Sequence, residues 1–393
     1  MTDPGSRPLD GVRVIDCTQM LSGPFATQML ADMGATVIKI ERPETGDITR
    51  AIEPTVGDSG MTSYFASLNR GKRSVVLDLS SPQGADALAR LAADADVIVE
   101  NYRAGLMEEW GLGYDSLSEL SDDLIYCSIS GFGPGPYEDV PAFDMVVQAL
   151  GGSMSITGES DGQPLRSGLP IGDICAGMYA VIGIVTALHS VDRHGGQRID
   201  VPMFEGLVSW LSERAGWTFA TGEPYQRRGN VHPSLAPYRV FDTEDGWLAL
   251  AIGSQGTWLS LCEALDRPDL AADPRFETNS DRVANRAALA SELADVFVQD
   301  DAESWFERLR EASVPAAPVN DTAEVFETPQ IRASEATSDL TLGGVDMPFV
   351  EFPVGFSELR SGDVSEPPVH GEHTRTVLSE VMDEAAVDDL MGE

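Results

Sequence analysis

The chain has 393 residues, 42% of them hydrophobic, enough to bury the cores of two domains and too apolar for a disordered polymer. Its 64 acidic residues outweigh 26 basic ones to give a net charge of -38, a balance that repels nucleic acid and anionic membranes. The acids are spread along the chain and form no tail, and such a surface stays soluble where salt screens its self-repulsion; this reads as a halophile's cytosolic protein.

The first ten residues carry no apolar core for secretion. Residues 12–17 predict a strand, Ser22-Gly23-Pro24 opens a helix to about Met33, and residues 36–40 predict a second strand, together a βαβ unit. Further strands are expected at 74–79, 97–100 and 124–129 with helices between, so the first part reads as a doubly wound parallel sheet. The strand at 124–129 runs into Ser130-Gly-Phe-Gly-Pro-Gly-Pro136, whose glycines let backbone approach a ligand.

Helices are expected at about 143–151 and 174–190. Asp173 stands immediately before the apolar pattern 174–188, about four turns of helix. Unpaired N–H groups and a partial positive charge at that helix end would hold Asp173 ionised with little water nearby, which makes it a candidate nucleophile; the plainer role is a helix cap. The run is too short to cross a bilayer comfortably.

Near Arg227 the pattern changes. Residues 238–241 and 247–252 predict strands joined by a turn at 243–246, followed by helices at 255–265, 282–298 and 302–312. The expected organisation is a large domain begun by 1–200, a linker at 201–224, a smaller α+β domain at 225–320, and a segment 321–393 that returns to the large domain.

Cys17, Cys127, Cys175 and Cys262 lie far apart, and the histidines show no ligand spacing, so neither a disulfide framework nor a metal site is indicated. Cys175 reads as a packed core thiol. The βαβ unit has Gln19-Met-Leu-Ser-Gly-Pro24 where a GxGxxG fingerprint belongs, which disfavours a dinucleotide. It offers positive charge instead: Lys39, Arg42, Arg50, Arg70, Lys72, Arg73 and Arg103 gather near successive strand ends and include both lysines of the chain. A phosphate-bearing ligand and a solvated charge mixture fit that cluster equally well.

Leu9-Asp-Gly-Val-Arg-Val-Ile-Asp16, Met29-Leu-Ala-Asp-Met-Gly-Ala35, Lys39-Ile-Glu-Arg-Pro43, Leu68-Asn-Arg-Gly-Lys-Arg-Ser74, Asp96-Val-Ile-Val-Glu-Asn-Tyr-Arg103, Ser130-Gly-Phe-Gly133, Pro368-Val-His-Gly-Glu-His-Thr374 and the Asp173 segment recur in this order. Together they resemble the class III CoA-transferases, the family of formyl-CoA transferase and carnitine CoA-transferase, from about residue 8 to 380. The resemblance implies a Rossmann-like large domain built from both chain ends, a small α+β domain, and an interlocked homodimer. It places the nucleophile on Asp173 and CoA contacts at Leu21, Ser22, Arg42, Leu77, Asp78, Leu79, Asn101, Tyr102, Arg103 and the 141–144 segment, including Phe143 and Asp144. Lys72 and Arg73 then become candidates for the phosphate-rich end of CoA.

The chemistry so implied is acyl exchange through aspartyl anhydride and aspartyl-CoA thioester intermediates, with CoA as substrate and no metal or redox cofactor. Ile171, Gly172, Ile174 and Phe143 are expected to close the site against water. Leu21 stands where formyl-CoA transferases carry glutamine, and Arg227-Arg-Gly-Asn-Val-His-Pro-Ser234 where they carry a glycine-rich loop, which argues against oxalate as acceptor. Ala142-Phe143-Asp144 replaces the Gly-His-Asp of the racemase branch and lacks its imidazole base. Arg227, Arg228 or His232 is a candidate to bind the distal carboxylate of a dicarboxylic acyl group, or they are loop arginines and a packed histidine. The resulting expectation is succinyl-CoA as donor and mesaconate or a similar short dicarboxylate as acceptor. An α-methylacyl-CoA racemase and a nonenzymatic CoA-binding protein are the alternatives.

Overall fold

The computed structural model describes residues 6–334, 336–359 and 365–392. Short apolar runs form six strands: β1 (Arg13–Cys17), β2 (Thr36–Glu41), β3 (Arg73–Val76), β4 (Val97–Glu100), β5 (Ile125–Ser130) and β6 (Gln197–Pro202). They make one parallel sheet in the order β3-β2-β1-β4-β5-β6. Alternate residues feed two cores. Val14, Val37, Val97, Val99 and Ile125 face one side, with the helices Ser22–Asp32 and Ile171–His194. Ile15, Ile38, Ile40, Val75 and Ile98 face the other, with the helix Pro82–Ala93 and the C-terminal helices Thr374–Leu378 and Glu384–Met391.

The strand order reverses between β1 and β4, whose ends pair as Cys17 with Glu100. The loops leaving both strands therefore meet at the sheet's switch point, where open α/β sheets bind ligands.

The chain divides into two compact units, one of Met1–Ser153, Arg166–Ala220 and Arg332–Glu393, the other of Met154–Leu165 and Thr221–Ile331. In place of the expected linker at 201–224, residues Met203–Ser209 and Ser212–Thr221 are helical, and Met154–Leu165 joins the second unit. The returning segment contributes a hairpin, β10 (Thr337–Leu342) and β11 (Val345–Val350), turned at Gly343-Gly344 with φ of 55° and 79°, values that glycine adopts without strain. It then latches onto β3: His373 N donates to Ser74 O at 2.9 Å, and Thr374 Oγ1 accepts from Val76 N at 3.0 Å.

The second unit is an antiparallel sheet of β7 (Tyr238–Asp242), β8 (Trp247–Ala251) and β9 (Ala316–Pro318), with helices that include Gln255–Ala264, Arg286–Phe297 and Ala302–Glu311. Its core gathers Trp258, Phe276, Phe297 and Trp305. Arg282 is buried among them and donates to the carbonyls of Ala236 and Phe276, which ties the loop before β7 to the helical layer.

The helix Ile171–His194 is longer than expected at both ends and is long and apolar enough to cross a membrane by length and composition. Its Cys175, Ala176, Ala180, Ile184 and Ala187 lie in the core on the sheet. It crosses the Ser22–Asp32 helix closely: a Cβ on Gly177 would stand 2.8 Å from Ser22 O, so even alanine would push the helices apart.

Charge inside the sheet corrects the reading of the basic cluster. Lys72 is buried, its Nζ 3.0 Å from Asp16 Oδ2 and hydrogen-bonded to Pro24 O, Thr27 Oγ1 and Asn69 Oδ1. Lys39 Nζ is likewise buried, 2.9 Å from Asp47 Oδ2. Arg50 pairs with Glu41 and Arg70 with Asp32. Lys72 thus neutralises an internal carboxylate and is not a phosphate contact. Lys72→Met should leave buried Asp16 without its hydrogen-bonded ammonium partner and cost about 3–5 kcal/mol in chemical denaturation, most of it recovered when Asp16→Asn is added. A Lys72→Met protein as stable as the parent but weakened in CoA binding would return the lysine to the ligand.

Candidate active site

Asp173 lies in the first turn of its helix, not at the cap; Pro170 holds the cap position and contributes no side-chain bond. That end is capped from outside, since Asp144 Oδ1 accepts from Gly172 N at 2.8 Å. Asp144 Oδ2 accepts from Gln148 Nε2 at 2.7 Å, and Gln148 Oε1 accepts from Ser167 N at 2.8 Å. One buried glutamine thereby joins the Asp144–Leu150 helix to the strand of chain that delivers Asp173. Gln148 and its spacing of four from Asp144 were the sequence signal for this clamp, and sequence reasoning passed over it.

Burial raises the Asp173 carboxyl, the Asp144 charge raises it further, and a hydrogen bond from Ser22 pulls the other way; together they bring it to about 7. The adjacent thiol is inert. Cys175 Sγ is buried against Gly172 O, and burial holds it near 11. Tyr64, unnoticed in the sequence, completes the surroundings: burial and the charges of Asp173, Asp47 and Asp144 raise its phenol to about 12, so it stays protonated.

Ser22 is presented by a rigid loop at the switch point. Asn101 accepts from Gln19 N at 2.9 Å, donates to Gln19 O at 2.8 Å and reaches Ser22 Oγ at 3.4 Å. Lys39 Nζ donates to Thr18 O, Asp16 accepts from Thr18 N, and Met20, with φ at 67°, donates its N–H to Asp47 Oδ1. Leu21 sits in this loop as the cap of the Ser22–Asp32 helix. Asn101 and Ser22 therefore act on the loop and on Asp173.

Five of the expected CoA contacts converge elsewhere along the same sheet edge. Arg42, Leu77, Asp78, Leu79 and Tyr102 line a pocket of about 380 Å³ at the ends of β2, β3 and β4, with Trp110 edge-on to Tyr102 at 5.4 Å between centroids. His370 of the returning segment bonds Arg42 O at 3.0 Å and fixes the pocket's rim.

Other expected contacts lie apart from it. Arg73 begins β3, at the opposite end of that parallel strand from the pocket, and faces Glu380 at 3.9 Å; sequence proximity gave no direction along the strand. Arg103 is exposed and paired with Glu109 at 2.6 Å. Phe143 is 69% exposed in this chain, so it does not close the site. Asp144 is spent on the helix cap described above.

In the second unit, Arg227 gives its guanidinium to the carbonyls of Ser155, Glu159 and Gly162, which makes it a loop clamp and takes it out of the running as a substrate arginine. His232 Nδ1 accepts from Ser234 N, and its ring packs on Tyr238 at 5.0 Å, as a packed histidine does. Arg228 is exposed and has no such assignment.

Comparison with known proteins agrees with the resemblance read from the motifs. The family model for CoA-transferase family III matches residues 9–374. The succinyl-CoA:mesaconate CoA-transferase of Haloarcula hispanica is 42% identical over 391 residues, covering 96% of each chain. The succinate–glutarate CoA-transferase of Agrobacterium fabrum is 40% identical over 391 residues, covering 97% of this chain and 98% of that one. A crystal structure of a CaiB/BaiF family protein from Brucella suis matches with a TM-score of 0.89 at 38% identity, covering 96% of this chain and all 100% of the other. With both the ordered motifs and nearly the whole chain matched, the protein belongs to CoA-transferase family III and is an enzyme of that kind.

Proposed function

We propose that the enzyme moves CoA from succinyl-CoA to a short dicarboxylic acid such as mesaconate, with Asp173 as covalent nucleophile. The observation that carries this reading is the Asp173 carboxyl itself, held near neutrality at a helix N-terminus and bonded by Ser22 at the switch point of the sheet. A carboxyl poised near 7 is sufficiently ionised to attack and is also a competent leaving group. The names of the relatives support the acids: succinyl-CoA with mesaconate in one, succinate with glutarate in another.

In this mechanism an Asp173 oxygen attacks the donor thioester carbonyl, the C–S bond breaks, and CoA leaves as thiolate. The thiolate attacks the Asp173 carbonyl of the resulting anhydride, releasing the donor acid as carboxylate and forming an aspartyl-CoA thioester. The acceptor carboxylate attacks that thioester and expels the thiolate again. The thiolate then takes the new acyl group and returns Asp173 as carboxylate. Helix N–H groups and the protonated Tyr64 are the donors available to the oxyanions along the way. The pocket of Arg42 and Tyr102 suits the nucleotide end of CoA, since a guanidinium and an aromatic ring can stack on or pair with it.

Racemisation fits the residues less well. Phe143 supplies no imidazole, and Asp144, which would be the remaining base, is engaged by Gly172 N and Gln148. A homodimer is part of the proposal: Met178, Ile182 and Val185 of the long helix, with Trp210 and Phe219, expose apolar surface that a second copy would cover.

Hydroxylamine added during turnover should convert Asp173 to a hydroxamate detectable by peptide mass spectrometry, and Asp173→Ala should lose acid-for-acid exchange altogether. Exchange that persists in Asp173→Ala would end the covalent reading. The acidic limb of kcat/KM should fall at about pH 7, because the carboxylate is the active form and is lost as pH drops through its raised pKa. Asp144→Asn removes a raising charge and should move that limb to lower pH, whereas Ser22→Ala removes a lowering bond and should move it higher. A limb that stays fixed in both variants assigns it to another group.

A further inference from the structure

Among the described residues, one buried carboxyl of the first unit is left without a cation. Asp16, Asp32, Glu41 and Asp47 are buried too, and each meets a lysine or arginine nitrogen at 3.0 Å or less, while Asp144 caps a helix. Glu100 ends β4 with 6% of its surface exposed, and among the described residues no salt bridge reaches it. Arg198 on β6 acts on it from a distance and is itself paired with Asp200 at 2.9 Å and Glu108 at 3.5 Å.

What Glu100 holds is backbone. Its Oε2 accepts from Tyr102 N at 2.9 Å, so the carboxyl closes the turn by which the chain leaves the sheet. That turn sends Asn101 back to Gln19 and puts Tyr102 on the wall of the pocket shared with Arg42 and Trp110. Ser128, opposite Glu100 in the β4–β5 register, bonds the carboxyl through its hydroxyl. A glutamine of the same size could accept from Tyr102 N and bond Ser128 without the cost of a buried ionisable group. A carboxyl kept where an amide would serve points to a use for its charge.

Burial raises the Glu100 carboxyl, bonds from Ser128 and Tyr102 N lower it, the charge of Glu108 raises it and Arg198 lowers it, which brings it to about 7. The thiols of Cys17 and Cys127 and the phenols of Tyr102 and Tyr126, which also face it, are pushed up by burial and keep their protons there. An ionised acceptor makes a hydrogen bond roughly twice as strong as a neutral one. The turn is therefore held tightly above neutral pH and loosens below it, as the carboxyl takes up a proton.

We propose that Glu100 is a positioning residue whose ionisation tightens the Glu100–Tyr102 turn and so sets the affinity of the adjoining pocket for CoA. It acts through Tyr102 and does not itself touch the ligand. The inference rests on the reading of that pocket as the CoA site.

The test is equilibrium binding of free CoA to full-length protein from about pH 6 to about pH 8.5 at one fixed salt concentration, in an Asp173→Ala background that removes the other carboxyl titrating near 7. With Glu100 intact, CoA should bind more tightly as pH rises through about 7. The Glu100→Gln curve should meet it at about pH 6 and stand at least about three-fold weaker by about pH 8.5. The phosphates of CoA titrate alike in both, so the gap belongs to Glu100. Ser128→Ala removes a lowering bond and should move the rise to higher pH. Curves that superimpose at every pH would overturn the proposal. So would a glutamine variant that binds more tightly at high pH, which would make Glu100 a source of repulsion. CoA bound as tightly by Arg42→Ala and Tyr102→Ala as by the parent would remove it from the pocket and end both the reading and the proposal, a failure visible without any Glu100 variant.

Discussion

A carboxylate at the end of a central strand has nowhere to go but inward, and Asp16 on β1 is completely buried. Burial pushes its pKa up, yet Lys39, Lys72 and the hydroxyls of Thr18 and Thr27 more than offset that and hold it well below the usual carboxylate range. The neutralisation has a geometric consequence. Lys72 reaches Asp16 from the Leu68–Ser74 segment and also grips Pro24 O, while Lys39 grips Thr18 O. The loop between β1 and its helix is thereby fixed at both ends by buried ammonium groups. Ser22 is held against Asp173 because the loop cannot move independently of the core.

The same logic extends to the other side of Asp173. Asp144 would be a costly second carboxylate beside Asp173 were it not committed to Gly172 N and Gln148. Its charge helps raise Asp173. A structural cap thus doubles as an electrostatic setting for Asp173. The two carboxyls are set apart in role by what each is bonded to, Asp144 by Gly172 N and Gln148, Asp173 by Ser22.

Much of this was legible in the sequence. Apolar runs at β1, β2 and β4 predicted the parallel sheet, and the apolar pattern after Asp173 predicted a helix, although Asp173 lies in its first turn and not just before it. What failed was the reading of charge. Lys72 and Arg73 are neighbours in sequence, but Lys72 stands just before β3 and turns in to Asp16, while Arg73 begins the strand and is exposed near Glu380. A list of basic residues carries no information on which acids fold in to meet them. Tyr64 and Gln148 were missed for a simpler reason, since each belongs to a short helix whose sequence reads as ordinary packing.

The distribution of charge also bears on how a chain of net charge -38 handles substrates that are themselves anions. At low ionic strength its field would repel CoA and dicarboxylates at long range. In molar salt the screening length falls to about 3 Å, so the acids on the surface lose their influence on anything not in contact with them. Only charges that touch the substrate then discriminate, and they act through short, directed hydrogen bonds that salt screens poorly once water is displaced. An acidic exterior and directed hydrogen-bond donors at contact distance are compatible under those conditions, and the second is what makes the first tolerable for binding an anion.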